Sequence, residues 1–392
     1  MFPAFAGHLL SFGEAVKLRL ALTILAVVGI WMFLAATTEA HPASGIVVDS
    51  AGNIYFSDLE TIWKFDTHGK LTVFRKGERG RHVHELAIDE QDNVYGADVS
   101  YNPATQGWLS DVWKMTPEGK LIYLLNPTET PPRGSSIWHD RAGNMYFIEQ
   151  NNHTKRETLL LRRSPDGTVT TLAGGGYGHV DGRGNLAKFS SVGGMAFGTD
   201  GSLYLTDGES LRRVTMDGTV TTLASDLLAR TSEDRPRLFA GEHGSLAGLG
   251  VDSGSNVYVA DTGNRRLLKV NNDGQVQVIL RSEPPYFPTG VAAAGGNLYV
   301  LEVGFTLPSS WSGPRIKKID GDGKATILAT VGAEGNGADL RQSFATRAGV
   351  TVESTLAFFY NGGRVKYTLA FIAVGLFSLI ALIWQRRRRL RA

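Results

Sequence analysis

The residues with the chemistry to act are carboxylates, imidazoles and a few indoles. Asp58, Asp98, Glu149, Asp207, Asp261 and Glu302 recur along the chain, each closing a short apolar, β-prone run. Six acids on one face repel one another and call for a cation, and neutral imidazole with carboxylate is the donor set of a divalent metal, calcium or zinc. The same residues have a structural use: a carboxylate present in every copy of a repeat can accept backbone N–H groups and tether the loop that follows it. Residues that the copies do not share are the more specific candidates. His82-Val83-His84-Glu85 precedes one of the apolar runs, and His179 and His243 lie in other connections. Trp108 and Trp311 sit in two long connections, where indoles suit a sugar or peptide groove. The metal reading joins His84 and Glu85 to Asp58, Asp207 and Asp261.

Other chemistry is excluded. The chain has no cysteine, so thiolate catalysis, Fe–S clusters and disulfides are absent. No GxSxG, P-loop, HExxH or dinucleotide-binding glycine motif occurs. Setting aside the two ends, the body is net acidic, which argues against nucleic acid as a partner because phosphate binding needs a basic footprint.

A repeat positions these residues. Ile46 to Asp58, IVVDSAGNIYFSD, returns at 86–98, 137–149, 195–207, 249–261 and, one residue shorter, at 291–302. Each copy reads as a β-hairpin whose second strand carries a tyrosine: Tyr55, Tyr95, Tyr146, Tyr204, Tyr258 or Tyr299. A second hairpin follows each time, with glycine at a fixed offset: Gly69, Gly119, Gly167, Gly218, Gly274 and Gly323. Four strands, six times, over residues 45–330 define an all-β, six-bladed β-propeller. With strands lettered a to d from axis to rim, the b–c connections and d–a linkers share one face. They are long at 99–111, 150–159, 173–192, 224–245 and 303–315, and that face is the expected ligand side. A cationic residue also recurs in every strand c: Lys64, Lys114, Arg162, Arg213, Lys269 and Lys318.

Asp261 to Gly274, DTGNRRLLKVNNDG, resembles the signature of NHL repeats, and Ala173 to Phe197 resembles the linker and first strand of the bacterial NHL type. The resemblance implies an NHL-type propeller. That family includes scaffolds, binding modules, a peptide-amidating lyase and, more distantly, calcium-dependent lactonases. His84 matches the place of a zinc-ligating histidine in the lyase; the aligned positions Ser135, Gly193 and Ala247 do not match its further ligands. Of the lactonase calcium set, only Glu85 and Asp261 sit near comparable places. In NHL-like repeats Asp261 with Asn264 and Arg265 resembles a loop tether.

The two ends point to a membrane. Residues 20–36 carry no charge and follow Lys17 and Arg19, so residues 1–40 read as a signal peptide or an N-terminal anchor. Residues 367–384 form a second uncharged run between Tyr367 and Trp384, which suits a transmembrane helix. The basic tail 385–392 then lies in the cytoplasm by the positive-inside rule. Residues 331–366 read as a tether. The propeller is thus expected outside the cytoplasm, and the lack of cysteine suits a bacterial envelope. The function that follows is a membrane-anchored binding or scaffold module engaging a protein or glycan. The alternative is a metal-dependent hydrolase or lyase, lactonase-like or peptide-amidating-lyase-like, in the central mouth.

Overall fold

The computed structural model describes residues 43–78, 80–102, 107–128, 137–140, 142–151, 157–234, 246–306 and 310–332. The hydrophobic runs 20–36 and 367–384, the basic tail and the tether from residue 333 on lie outside them; Val331, read as tether, is instead buried against Ile46, Leu301 and Ile316. Among the described residues no helix is long and apolar enough to cross a membrane.

The described strands form six antiparallel sheets, each of four consecutive strands paired in chain order, and the all-β six-bladed propeller is the fold. Blade 1 is typical: Ile46–Val48, Ile54–Ser57, Ile62–Phe65 and Leu71–Arg75. The innermost strands meet in a ring, and that of blade 1 touches both its blade 2 and blade 6 counterparts. Among the described residues no strand is exchanged between blades at this closure. Blade 4 alone gains a fifth strand, Gly182–Arg183, where the linker from blade 3 pairs with its outer edge.

The hydrophobic core is divided into wedges, one between each pair of neighbouring blades. Val47, Ile62, Leu86 and Trp113 fill the wedge between blades 1 and 2. Ile46, Trp63, Leu301 and Ile316 fill the one that closes the ring between blades 6 and 1. This division follows from the alternation along each strand, which gives every sheet two apolar faces and a neighbour for each.

The recurring tyrosines have two tasks. In every blade the tyrosine of strand b faces the recurring cation of strand c across the pair: Tyr55 opposite Lys64, Tyr146 opposite Arg162, Tyr258 opposite Lys269. The Lys64 ammonium lies 5.1 Å from the Tyr55 ring centre. Each tyrosine hydroxyl also donates to an aspartate of the preceding turn in blades 1 to 5, as from Tyr95 to Asp89 at 2.8 Å and from Tyr258 to Asp252 at 2.9 Å. In blades 1, 2, 3 and 5 the same aspartate holds the turn asparagine, as Asp89 holds Asn93, and in blade 4 it holds Ser202. In blade 4 the aspartate has moved two places along, to Asp200, and Gly198 stands where its Cβ would have met the Asp200 carboxylate.

At the axis the inner strands approach backbone to backbone. A Cβ on Gly290 would come 2.0 Å from the Ser44 carbonyl oxygen, and one on Gly248 would come 2.8 Å from that of Thr289. Glycine is required at both places, and the ring is drawn tight from blade 5 through blade 6 to blade 1.

The turn motif gives a pH dependence. Burial raises the carboxyls of Asp89, Asp140, Asp200 and Asp252, but their hydrogen bonds outweigh it and hold them below the usual aspartate value. Their contribution is present above the unfolded value of about 3.9 and is lost as pH falls through the lower folded values. Burial first, and then the aspartate partner, raises Tyr55, Tyr95, Tyr146 and Tyr258. Their contribution is present below about pH 10 and is lost above it. Denaturant midpoints are therefore expected to fall on both sides of this plateau, and Tyr95→Phe is expected to flatten the alkaline fall. Midpoints independent of pH at both extremes would contradict the assignment.

Candidate functional site

The carboxylates that end strand b lie on the face of the b–c connections and d–a linkers, as their partners show. Asp58 accepts from the Thr61 amide at 2.9 Å and from the Trp63 indole at 2.7 Å. Asp98 takes both Arg75 guanidinium nitrogens, one at 2.8 Å. Arg81 bridges from Asp98 to Asp111, the residue directly opposite it in the sheet. Asp207 accepts from Ser190, Ser191 and Arg212, the last at 2.6 Å. Asp261 accepts from Asn264 and, at 2.7 Å, from Arg266. Glu302 accepts from Ser282, Arg315 and Lys317. All five are buried. Glu149 is half-buried opposite Leu159.

The acids are therefore spent inside the blades. Burying a carboxylate costs several kcal/mol unless a cation and further donors meet it; Asp98, Asp207, Asp261 and Glu302 have a cation, and Asp58 has amide and indole donors. At Asp261 burial outweighs the donors and keeps the carboxyl above its ordinary value. The partner of Asp261 is Asn264 with Arg266; Arg265 turns away, with a φ of 58°, to donate to the Tyr286 carbonyl at 2.7 Å. The donor five residues after the acid is the recurring device: Trp63, Arg212 and Arg266 stand at that distance from Asp58, Asp207 and Asp261. That spacing was available in the sequence and carries the assignment the repeat alignment missed.

His179 belongs to one of these clusters. Its Nδ1 lies 3.1 Å from Asp207 and 3.2 Å from an Arg212 nitrogen, and Arg212 also holds Asp181 and the Val180 carbonyl. The imidazole is partly exposed, whereas Asp207 and Arg212 are fully buried. His179 thus helps to fasten the blade 3 to blade 4 linker.

His82 and His84 lie elsewhere on the same face. The His82 backbone exchanges two hydrogen bonds with Val99 of blade 2, and the His84 carbonyl accepts the amides of Ser44 and Gly45. Their rings are 6.1 Å apart and nearly perpendicular. Burial pushes His82 below the ordinary histidine value, so it is neutral at pH 7. Glu85 lines a cavity of about 10 Å³ between inner strands, with Gly45, Leu86, Met195 and Gly248 around it. That is room for about one water molecule.

His84 and Glu85 are thus together at the head of the blade 2 inner strand, while Asp58, Asp207 and Asp261 are each held within their own blades. Among the described residues no group of three histidines and acids converges to hold a metal ion. The donor set named in the sequence therefore does not fit a calcium or zinc site as placed. His243 lies outside the described residues.

Three of the long connections are β-hairpins. In blade 2 the strands Val94–Asn102 and Gly107–Met115 stay paired from Val94 opposite Met115 to Asn102 opposite Gly107. Blade 3 does the same over Met145–Asn151 and Glu157–Arg163, and blade 6 over Asn297–Thr306 and Ser310–Ile319. Alternation continues past the carboxylate in blades 2 and 6, so pairing continues too; in blade 3 the pairing runs on through the polar Gln150 and Asn151. Trp108 and Trp311 lie on the returning strands of the blade 2 and blade 6 arms.

Neither a protein-family model nor a curated protein matches the chain. Solved structures do. Virginiamycin B lyase from Staphylococcus aureus is 15% identical over 74% of this chain and 85% of its own, with a TM-score of 0.45. A gluconolactonase from Xanthomonas campestris is 15% identical over 66% of this chain and 83% of its own, with a TM-score of 0.45. The calcium-binding protein regucalcin from Agrobacterium tumefaciens is 17% identical over 67% and 83%, with a TM-score of 0.44. At such identities no site residue is carried across from them.

The clusters predict a cost. Arg266→Ala would leave Asp261 without its cation and Asp234 with Arg281 alone, and a loss of about 3–5 kcal/mol in unfolding free energy is expected. Denaturant unfolding reads it directly, and a loss under about 1 kcal/mol would refute the pairing.

Proposed function

We propose that the chain is a membrane-held propeller that binds a protein or glycan on its arm-bearing face, outside the cytoplasm of a bacterial cell. The observation that supports it is the contrast on that face. The carboxylates are consumed by structure, whereas blades 2, 3 and 6 extend arms beyond the point where blades 1, 4 and 5 turn back. Hairpins longer than the sheet needs are the parts free to meet a ligand.

A second reading is an enzyme in the central mouth, the class to which the lyase and gluconolactonase named above belong. It is favoured by the paired rings of His82 and His84, next in sequence to Glu85, which lines the axial cavity. In this reading His82, kept neutral by burial, is the base, and no step passes through a metal.

The readings separate on the purified full-length protein in detergent. Ion analysis is expected to find no stoichiometric calcium or zinc, a chelator is expected to leave the melting temperature unchanged, and His84→Ala is expected to alter it little. A stoichiometric ion lost in His84→Ala would replace the binding reading with a metal enzyme. For the binding reading, hydrogen exchange with a cell-envelope extract is expected to protect the arms of blades 2, 3 and 6. Protection confined to the c–d turns of the opposite face, or none, would overturn it.

The topology rests on Lys17 and Arg19 before one apolar run and the arginines after the other. A reporter active only outside the cytoplasm is expected to work when inserted at the exposed residue Ser225. Activity only from a fusion at the C-terminus would invert the arrangement.

A further inference from the structure

One buried guanidinium on the arm-bearing face has no acid. Arg265 lies in the b–c connection of blade 5 and is 6% exposed. Among the described residues its one side-chain hydrogen bond runs from a terminal nitrogen to the Tyr286 carbonyl, and its Nε is buried without a partner. Burial alone pulls it below the ordinary arginine value, with no acid to offset the shift. At Arg75, buried as deeply, burial is outweighed by Asp98 and the value rises. The repeat does not require a cation at this place. Four residues after the acid of strand b, blades 1 and 4 carry the buried apolar side chains Ile62 and Leu211. A desolvated, unpaired cation is costly to keep, so its presence asks for an anion.

A second guanidinium meets the first at Tyr286. Strand a of blade 6, Tyr286–Ala294, begins beside the blade 6 arm, with Tyr286 opposite Gly304. Arg315, on the returning strand, stacks 3.4 Å from the centre of the Tyr286 ring. Its Nε donates to Glu302 at 2.6 Å, while its two terminal nitrogens make no hydrogen bond among the described residues. Glu302 also accepts from Lys317 at 3.1 Å. Ser282 ties the two sides together: its hydroxyl donates to Glu302 and its amide to the Arg265 carbonyl. One acid thus serves two cations, and Arg265 has none.

We propose that Arg265 and Arg315 together take a carboxylate from an acidic segment of a partner protein, at the junction of blades 5 and 6. The inference rests on the binding reading above and names the partner's chemistry. A guanidinium stays charged at any physiological pH, and its planar fork matches the oxygens of a carboxylate. Such a group would supply Arg265 with the counter-charge that the fold does not. Arginine and tyrosine are the side chains that carry most energy in contacts between proteins, and grouped arginines read acidic motifs. A sugar would need an open aromatic face instead, and here Arg315 covers one face of Tyr286.

The test is the melting temperature of the full-length protein in a non-ionic detergent, with and without hexaglutamate, hexaglutamine, trigalacturonate or inorganic phosphate. Melting is the readout because a peptide caught on the basic tail 385–392 does not stabilise the propeller. Hexaglutamate is expected to raise it by about 2 °C or more, since the folded blades alone hold the ligand, and the rise is expected to shrink at high salt. Hexaglutamine is expected to leave it unchanged. Arg265→Met is expected to abolish the rise and to shift the ligand-free value by less than about 2 °C, because an unpaired charge goes with the lost hydrogen bond. A purely structural Arg265 gives the opposite pattern, a fall without ligand and an undiminished rise with it, and that result overturns the inference. Arg315→Lys still pairs with Glu302 but loses the fork; it is expected to reduce the rise by about half, and it carries the test if Arg265→Met does not fold. A rise with trigalacturonate or phosphate but not with hexaglutamate overturns the partner named. No rise at all also overturns it; if the arms are still protected in the exchange experiment above, the binding reading stands without this partner chemistry, and if they are not, both fall.

Discussion

A buried carboxylate at the end of strand b, met by a cation or an indole, is the interaction on which the ring depends. The partners seldom come from one blade alone. Arg75 of the outer strand of blade 1 crosses to Asp98 of blade 2. Ser190 and Ser191 of the incoming linker cap Asp207 of blade 4. Arg266 of blade 5 reaches back to the Leu227 and Ala229 carbonyls and to Asp234 of the linker before it. Ser282, at the end of blade 5, meets Glu302 of blade 6. Asp98, Asp207, Asp261 and Glu302 thereby fix their blades to the preceding linker or blade. The apolar wedges hold the blades face to face but specify little about their order or tilt; the directional ionic contacts supply that specificity.

This arrangement limits where chemistry can occur. A carboxylate whose oxygens are already taken by donors of its own blade and of the adjoining linker or blade is poorly placed to share a cation with its equivalents. The glycines at the axis narrow the channel further, since the inner strands touch at Gly290 and Gly248. What remains open is the surface above the carboxylates. There the blades diverge: three turn back within a few residues, and three carry the same β-pattern outward as arms. The repeat builds the ring, and departures from the repeat provide the recognition surface.

Much of this was legible in the residues. Six copies of a hairpin with tyrosine and a turn glycine leave few alternatives, and the six turn glycines have φ between 76° and 92°. The sidedness of the connections follows from strand order alone. The partners of the carboxylates were harder to read. Arg265 and Arg266 are adjacent and chemically identical, and only the backbone turn at Arg265 decides which guanidinium faces Asp261. Trp63 and Trp113 occupy equivalent places, yet Trp63 donates to Asp58 whereas the Trp113 indole N–H has no partner. The reason lies in the neighbouring blade: Arg75 crosses to take Asp98 and stacks 4.5 Å from the Trp113 ring. Such choices depend on contacts between blades, which repeat alignment does not encode. Residues 99–111 and 303–315 read as long connections in the sequence, yet the alternation at their start sustains pairing.

The central claim is that Asp98, Asp207, Asp261 and Glu302, which end strand b in four blades, are partners of their own cations and not of a shared metal. A double-mutant cycle on Asp207 and Arg212, read by denaturant unfolding with and without added calcium, tests it most directly. The account predicts that each single neutralisation costs about 3–5 kcal/mol, and that the double variant loses clearly less than the sum, because neither charge is left unpaired. Calcium should change none of the four values. Additive losses, or a calcium-dependent stability that disappears with Asp207→Asn, would contradict it.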